Sequence, residues 1–258
     1  MERRTALITG ASSGLGAEFA RLFAADGFDV ALVARSGAAM EDLAQELEDR
    51  HWITAQVIPK DLSEPNAAGD VVEVLREHGM RADVLVNSAG FAQFGPFAGS
   101  DEAWLLDLLR VNMVTLTHLT RLVVPSMIER GWGRIANLAS GAAFQPGPLR
   151  AAYHASKAYV LSFSLGLSEE LRGTGVKVTA LCPGPTATGF QARAAMEDSK
   201  LVAGRTLPEA AAVAEWGYQA IKRGRPVAVH GAKWQAAAFA TRFVPRTAAA
   251  RPGRRQMS

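Results

Sequence analysis

What most restricts the fold of this chain is a rhythm: short runs of consecutive apolar residues, each followed by a segment with apolar residues at helical spacing. Thr5-Ala6-Leu7-Ile8-Thr9 is the first run, and it ends at Gly10. Phe28 to Ala34, Ile53 to Ile58, Asp83 to Asn87, Gly133 to Leu138, Val176 to Leu181 and Pro226 to His230 follow. A continuous apolar run such as the first is expected of a strand buried on both faces, which points to a parallel sheet covered by helices. The intervening segments are Ala17 to Asp26, Met40 to Arg50, Ala67 to His78, Asp101 to Arg130, Tyr153 to Arg172 and Pro208 to Arg223. In the first of them Phe19, Ala20, Phe23 and Ala24 share a face before Gly27 stops the helix. The longest contains Pro125, where a kink or break is expected.

Seven strands alternating with helices, with no linker or internal repeat, predict one α/β domain: a Rossmann-like, doubly wound parallel sheet. A length of 258 residues with 48% apolar content is ample for a single large core. We expect this domain to span residues 1–243, with a lid at about 186–207, where the helical period is lost, and a basic tail over 244–258. Arg242, Arg246, Arg251, Arg254 and Arg255 give the last seventeen residues +5, so the remainder of this +3 chain sums to −2. No aromatics interleave beyond Phe243, which reads as a solvated end and not as a nucleic-acid arm. The single cysteine, Cys182, excludes an intramolecular disulfide or a cysteine-based metal cluster, and no metal is expected beside His154. No apolar run approaches the ~18 residues of a spanning helix, and the segment before the first strand is too short for a signal-peptide core. A soluble, cytoplasmic protein is the expectation.

The first strand runs into Thr9-Gly10-Ala11-Ser12-Ser13-Gly14-Leu15-Gly16. A helix opening there would present free backbone N–H groups and the positive end of its dipole to a pyrophosphate. The glycine order departs from Gly-x-Gly-x-x-Gly, so alone it is also compatible with an ordinary strand-to-helix turn. At the end of the second strand Arg35, followed by Ser36, suits the 2′-phosphate of NADP, where an acid would suit the ribose hydroxyl of NAD. After the third strand, Asp61 could accept from an adenine amino group and Leu62 pack on the ring. A capping role for Asp61 or Ser63 is equally natural.

Tyr153 and Lys157, four apart, share a helix face. A tyrosine pKa near ~10 is too high for a base at neutral pH, and a nearby ammonium favours the phenolate. With a cationic nicotinamide added, a drop of two or three units would suit proton exchange with an alcohol or carbonyl. Ser140, at the end of the fifth strand, is placed to hold a substrate oxygen. Alone, Tyr-x-x-x-Lys is equally a surface pair.

Taken together, Thr9-Gly10-x-x-x-Gly14-x-Gly16, Asn87-Ser88-Ala89-Gly90, Asn112, Ser140, Tyr153-x-x-x-Lys157 and Pro183-Gly184 resemble the short-chain dehydrogenase/reductase family in order and strand position, over roughly residues 5 to 230. The resemblance, which extends to uncharacterised bacterial members, implies Tyr153 as catalytic acid/base. It implies that Lys157 lowers the tyrosine pKa and binds the nicotinamide ribose, that Ser140 positions the carbonyl, and that Asn112 holds a relay water. Gly10, Ser12, Ser13, Gly14, Leu15, Gly16, Asn87, Ala89, Gly90, Pro183, Gly184, Thr186 and Thr188 would then line the cofactor. Ser88 stands where the family has a second asparagine, which implies weaker local support and not lost activity.

The expected activity is NADP(H)-dependent hydride transfer between nicotinamide and a carbonyl or secondary alcohol. Use of NAD(H) on the same scaffold and a non-catalytic dinucleotide sensor are the alternatives. Phe91, Gln93, Phe94, Phe144, Gln145 and His154, with Phe190, Met196 and Leu201 of the lid, suggest an apolar or aromatic substrate. His154 reads as a pocket-edge or surface residue. The resemblance implies a homodimer or homotetramer, in which Leu105, Leu108, Leu109 and Leu116 could serve an interface or simply pack on the sheet.

Overall fold

In the computed structural model, which describes residues 3–189, 206–245, 247 and 250, the apolar runs become strands. They are β1 (Thr5–Thr9), β2 (Asp29–Ala34), β3 (Ala55–Pro59), β4 (Ala82–Asn87), β5 (Gly133–Leu138), β6 (Val176–Cys182) and β7 (Val227–Val229). All pair in parallel, in the order β3-β2-β1-β4-β5-β6-β7. The helices are α1 (Gly14–Ala25), α2 (Gly37–His51), α3 (Ala67–Glu77), α4 (Glu102–Leu109), α5 (Leu116–Glu129), α6 (Ala151–Glu170), α7 (Ala210–Lys222) and α8 (Ala232–Ala240).

Strand alternation divides the core between the two faces of the sheet. Along β1, Ala6 and Ile8 join Phe19, Leu32, Leu181 and Tyr218 on one face. Leu7 joins Val71, Leu119, Ile135 and Val178 on the other. Each of the larger aliphatic side chains among them contributes about 1.5–3 kcal/mol by leaving water, which sets the register: a slip of one residue would turn every strand side chain to the wrong face. Chain order reverses between β1 and β4, so a crevice opens at their carboxyl ends, where Gly10 and Ser88 follow the strands.

The single helix expected from Asp101 to Arg130 is three pieces. Between α4 and α5, Arg110–Thr115 forms a π-helical segment. The expected break at Pro125 does not occur, and α5 continues through it. The proline deprives only the carbonyl of Arg121 of a partner, and Arg121 is exposed to water. Helix α8 had no signal in the sequence, because it buries none of its residues fully and so shows no apolar stripe. Leu108 and Leu116 are buried, so of the four interface candidates these two pack inside the subunit. The ends of the expected lid meet where the Ala187 N–H donates to the Pro208 carbonyl (2.8 Å). Its residues Phe190, Arg193, Met196, Glu197, Asp198, Lys200 and Leu201, and the tail's Arg246, Arg251, Arg254 and Arg255, lie outside the described residues. Among the described residues no helix is long and apolar enough to cross a membrane.

Candidate active site

The crevice deepens into a cavity of about 410 Å³, a size suited to a small ligand. At one end stands the glycine loop. Gly10 and Gly14 take φ of +70° and +56°, which only glycine adopts without strain. A Cβ on Gly10 would lie 2.9 Å from the backbone of Ala89. Gly16 is inside α1 and turned away from the cavity; a Cβ there would overlap the Gly10 carbonyl, so this glycine lets helix and strand pack closely. The amino end of α1 faces the cavity with no acid in its first turn. It therefore suits an anionic phosphate.

Ser12, Ser13, Leu15, Arg35, Ser36, Asp61 and Leu62 continue the wall. Arg35 is exposed and stands 4.0 Å from Asp61. The Asp61 carboxylate accepts the N–H (2.9 Å) and hydroxyl (2.7 Å) of Ser63 in a local turn; the N-cap of α3 is Asn66, so neither Asp61 nor Ser63 caps that helix. Burial pushes the Asp61 pKa up, yet these bonds, with Arg35 and Lys60 nearby, leave it below the ordinary carboxylate value. A dinucleotide fits this half: glycine clearances, a helix amino end and an exposed arginine answer its phosphates, and Leu62 offers an apolar face.

Asn87 does not line the cavity. Its amide donates to Asn137 (2.9 Å) and Thr120 (3.2 Å), and Asn137 donates to Ser164 (2.9 Å), a buried network tying β4 and β5 to α5 and α6. What reaches the cavity is the turn beyond, Ser88, Ala89 and Gly90. The Thr9 hydroxyl accepts the N–H groups of Ser88 and Ala89, both at 3.1 Å.

At the other end, Ser140, Tyr153 and Lys157 meet on one wall. Ser140 starts a short 3-10 turn after β5, its hydroxyl accepting the Ala142 N–H (3.1 Å) and bonding the Tyr153 phenol. Lys157 donates to the Leu138 carbonyl (2.7 Å), and its Nζ is 5.8 Å from the Tyr153 ring centroid. Burial lowers its pKa to about 8. The protein's own groups do not lower that of Tyr153: burial raises it, and the Arg150 guanidinium and the Ser140 hydroxyl offset this only in part. The guanidinium of Arg150, a residue the sequence did not single out, lies over the Tyr153 ring, 4.7 Å from its centroid.

Asn112 sits in the π-helical segment, wholly buried and behind the wall. Its side chain donates to the Phe91 carbonyl and the Ser156 hydroxyl (both 3.1 Å) and accepts the Phe91 N–H (3.2 Å). A Cβ on Gly90 would lie 2.9 Å from Asn112 Oδ1 and 3.4 Å from Lys157 Nζ, so Gly90 leaves room for both.

Pro183, Gly184, Thr186 and Thr188 line the cavity as expected from their position after β6. Gly184 also makes room for Trp234 of α8, whose ring would meet any Cβ there, and the same ring limits Gly141. Of the substrate-wall candidates, Phe91, Gln145 and His154 line the cavity, joined by Trp104, Asp107 and Val111. Phe91 and Trp104 form an aromatic pair, with centroids 4.7 Å apart. Phe94 packs against the cluster of Ala92, Leu108 and Tyr153, Phe144 against that of Leu116, Ala139, Val160 and Cys182, and Gln93 bonds Ser100. His154 is buried, not a surface residue. Its Nδ1 is 2.8 Å from the Gln145 carbonyl, and burial lowers its pKa despite that bond.

The profile of the short chain dehydrogenase family matches residues 4–199. A short chain dehydrogenase of Pseudocercospora fijiensis is 38% identical over 188 residues, a match taking in 71% of this chain and 60% of that protein's length. Among solved structures, a short-chain dehydrogenase from Sphingobium yanoikuyae in complex with NADPH superposes with a TM-score of 0.83 at 34% identity, covering 93% of this chain and 94% of that one. The bulky-bulky ketone specific alcohol dehydrogenase from Comamonas testosteroni gives 0.80 at 29% identity, covering 94% and 93%. With a seven-stranded parallel sheet, a glycine loop at its switch point and Ser140, Tyr153 and Lys157 on one cavity wall, this chain belongs to the short chain dehydrogenase family.

Proposed function

We propose that this protein is an NADP(H)-dependent oxidoreductase that interconverts a carbonyl compound and its secondary alcohol, with Tyr153 as general acid/base. The observation that carries the reading is the convergence of Ser140, Tyr153 and Lys157 on a cavity continuous with the glycine cradle. A relative of 34% identity is known in complex with NADPH, which supports a nicotinamide dinucleotide here. The exposed guanidinium of Arg35 supports preference for the 2′-phosphate.

When bound, the nicotinamide supplies or accepts the hydride at the substrate carbon. Ser140 holds the substrate oxygen by a hydrogen bond. In reduction Tyr153 passes its phenolic proton to that oxygen, and in oxidation the phenolate takes the proton back. Lys157 stabilises the phenolate by charge, and Arg150 adds a second cation on the ring. Asn112 acts by position, tying the loop after β4 to α6. The Phe91–Trp104 pair supports a substrate with an apolar or aromatic body, and the ketone specificity of the Comamonas relative agrees with it. Exposed Leu106, Val114, Leu122 and Leu165 along α4 to α6 support self-association.

The test is turnover of a ketone and aldehyde panel with NADPH by wild type and Tyr153→Phe. Removing the proton donor lowers kcat by about 10²–10⁴-fold while NADPH binding, read by fluorescence titration, persists. Full turnover by Tyr153→Phe would overturn the catalytic account.

A further inference from the structure

Arg150 carries a charge that the reaction above uses only indirectly. It precedes α6, is 7% exposed, and lines the cavity beside Gln145, Tyr153 and His154. Among the described residues its side chain forms no ion pair, and its Nε is buried without a hydrogen-bond partner. The acids on the cavity wall are engaged elsewhere: Asp107 pairs with Arg110 (2.8 Å), and Asp61, beside Arg35 at the other end, with Ser63. Stacking on Tyr153 offsets only part of the cost of burying this cation without a counter-charge. An arginine does not escape by deprotonation, although burial lowers its pKa here.

The backbone that presents Arg150 is itself held against its preference. Leu149 has φ +64°, a conformation costly for a residue with a branched side chain, and its carbonyl accepts the Gly95 N–H (2.9 Å). The site therefore combines a strained turn, a buried guanidinium and the proton-transferring tyrosine three residues away. Cofactor phosphates have their own partners at the far end, in the α1 amino terminus and Arg35.

We propose that Arg150 is the anion-recognising group of the substrate pocket, and that the substrate is a carbonyl compound carrying a carboxylate or sulfonate on an apolar or aromatic body. This rests on the carbonyl chemistry assigned to Tyr153. Arg150 supplies the missing counter-charge partner, in the forked geometry that suits such oxyanions. Phe91 and Trp104 cover the body of the molecule.

The experiment compares matched pairs with the full chain and NADPH: phenylglyoxylate against its methyl ester, and 3-acetylbenzenesulfonate against the sulfonamide. Wild type should favour the charged member of at least one pair by about 10- to 100-fold in kcat/KM, the scale of a charge-assisted hydrogen bond, mainly through KM. Which pair shows it separates carboxylate from sulfonate. Arg150→Met should bring that ratio near one, and Arg150→Lys should restore part of it. Because Arg150 also touches the Tyr153 ring, the ratio within each variant is the readout, and a loss common to both substrates cancels. Equal or better use of both neutral members by wild type, or a ratio unchanged in Arg150→Met, overturns the proposal. Calorimetric titration of phenylglyoxylate and 3-acetylbenzenesulfonate into Tyr153→Phe and Tyr153→Phe/Arg150→Met, with and without NADP+, separates the two readings. If no ketone is reduced but either anion binds in an Arg150-dependent way, the reaction assignment fails and the anion site stands. Binding of neither, or binding indifferent to Arg150, removes the anion site.

Discussion

Lys157 is a charge buried at a cost to folding. Its pKa falls from 10.5 to about 8, and burial is the cause. Between those values the unfolded chain holds the proton and the folded one does not, so stability from this group rises with pH across that window. Below about pH 8 the burden is present in full. It amounts to about 3 kcal/mol by the shift, and a substitution that leaves the Leu138 carbonyl without its donor gives back about 1 of this. Lys157→Met should therefore stabilise the cofactor-free protein by roughly 2 kcal/mol at pH 7, and the gain should shrink as pH rises toward 10. Denaturant titrations at pH 7 and 9.5 measure both, and turnover should be lost in the same variant. Tyr153 and Lys157 were legible in the sequence because spacing on a helix face is a local property. Arg150 was not, since nothing in Pro148-Leu149-Arg150 distinguishes a buried arginine from a solvated one; burial is decided by Gln145, His154 and the cavity wall around it.

Between elements, the end of the cavity that carries Ser140, Tyr153 and Lys157 is held in place by polar groups the sequence does not mark. Asn137 in the middle of the sheet takes a hydrogen bond from Asn87 and gives one to Ser164, so β4, β5 and α6 are fixed to one another at a single buried amide. Asn137→Ala should cost about 2–4 kcal/mol, because it leaves the Asn87 amide short of a partner and opens a small cavity. For a domain of this size that is a fall in Tm on the order of 5–15 °C, read by calorimetry. A ratio of kcat to thermal loss that matched surface destabilising variants would show the network to be purely structural. Strand positions were read well from dry apolar runs. The π-helical segment was not, because its six residues are fewer than two turns, too short to show a change of period, and Pro125 offered a more obvious break. Helix α8, and with it Trp234, was missed for the opposite reason, since an exposed helix has no buried stripe to read.

For the whole molecule, the alternation of strands and helices left few ways to connect the chain, and the observed order places β2 and β3 on one side of β1 and β4 to β7 on the other. The groups proposed to hold the cofactor come from the turns after the strands, from the start of α1 and from α6, at positions as distant in sequence as Gly10 and Thr188. A ligand bound across them must couple to the global unfolding equilibrium. NADPH at about 100 times its Kd should add about 2.7 kcal/mol, a rise in Tm of roughly 5–10 °C. NADH at the same concentration should give a smaller rise, because Arg35 then meets no 2′-phosphate. The Arg35 side chain is 64% exposed and 4.0 Å from Asp61, so it is not needed for the fold, and Arg35→Asp should leave the unliganded Tm nearly unchanged. In that variant the order of the two shifts should invert, an acid now repelling the 2′-phosphate and accepting the ribose hydroxyl. Equal shifts from NADPH and NADH in wild type, unaltered by the substitution, would remove Arg35 from cofactor choice and leave NAD(H) use on this scaffold as the better reading.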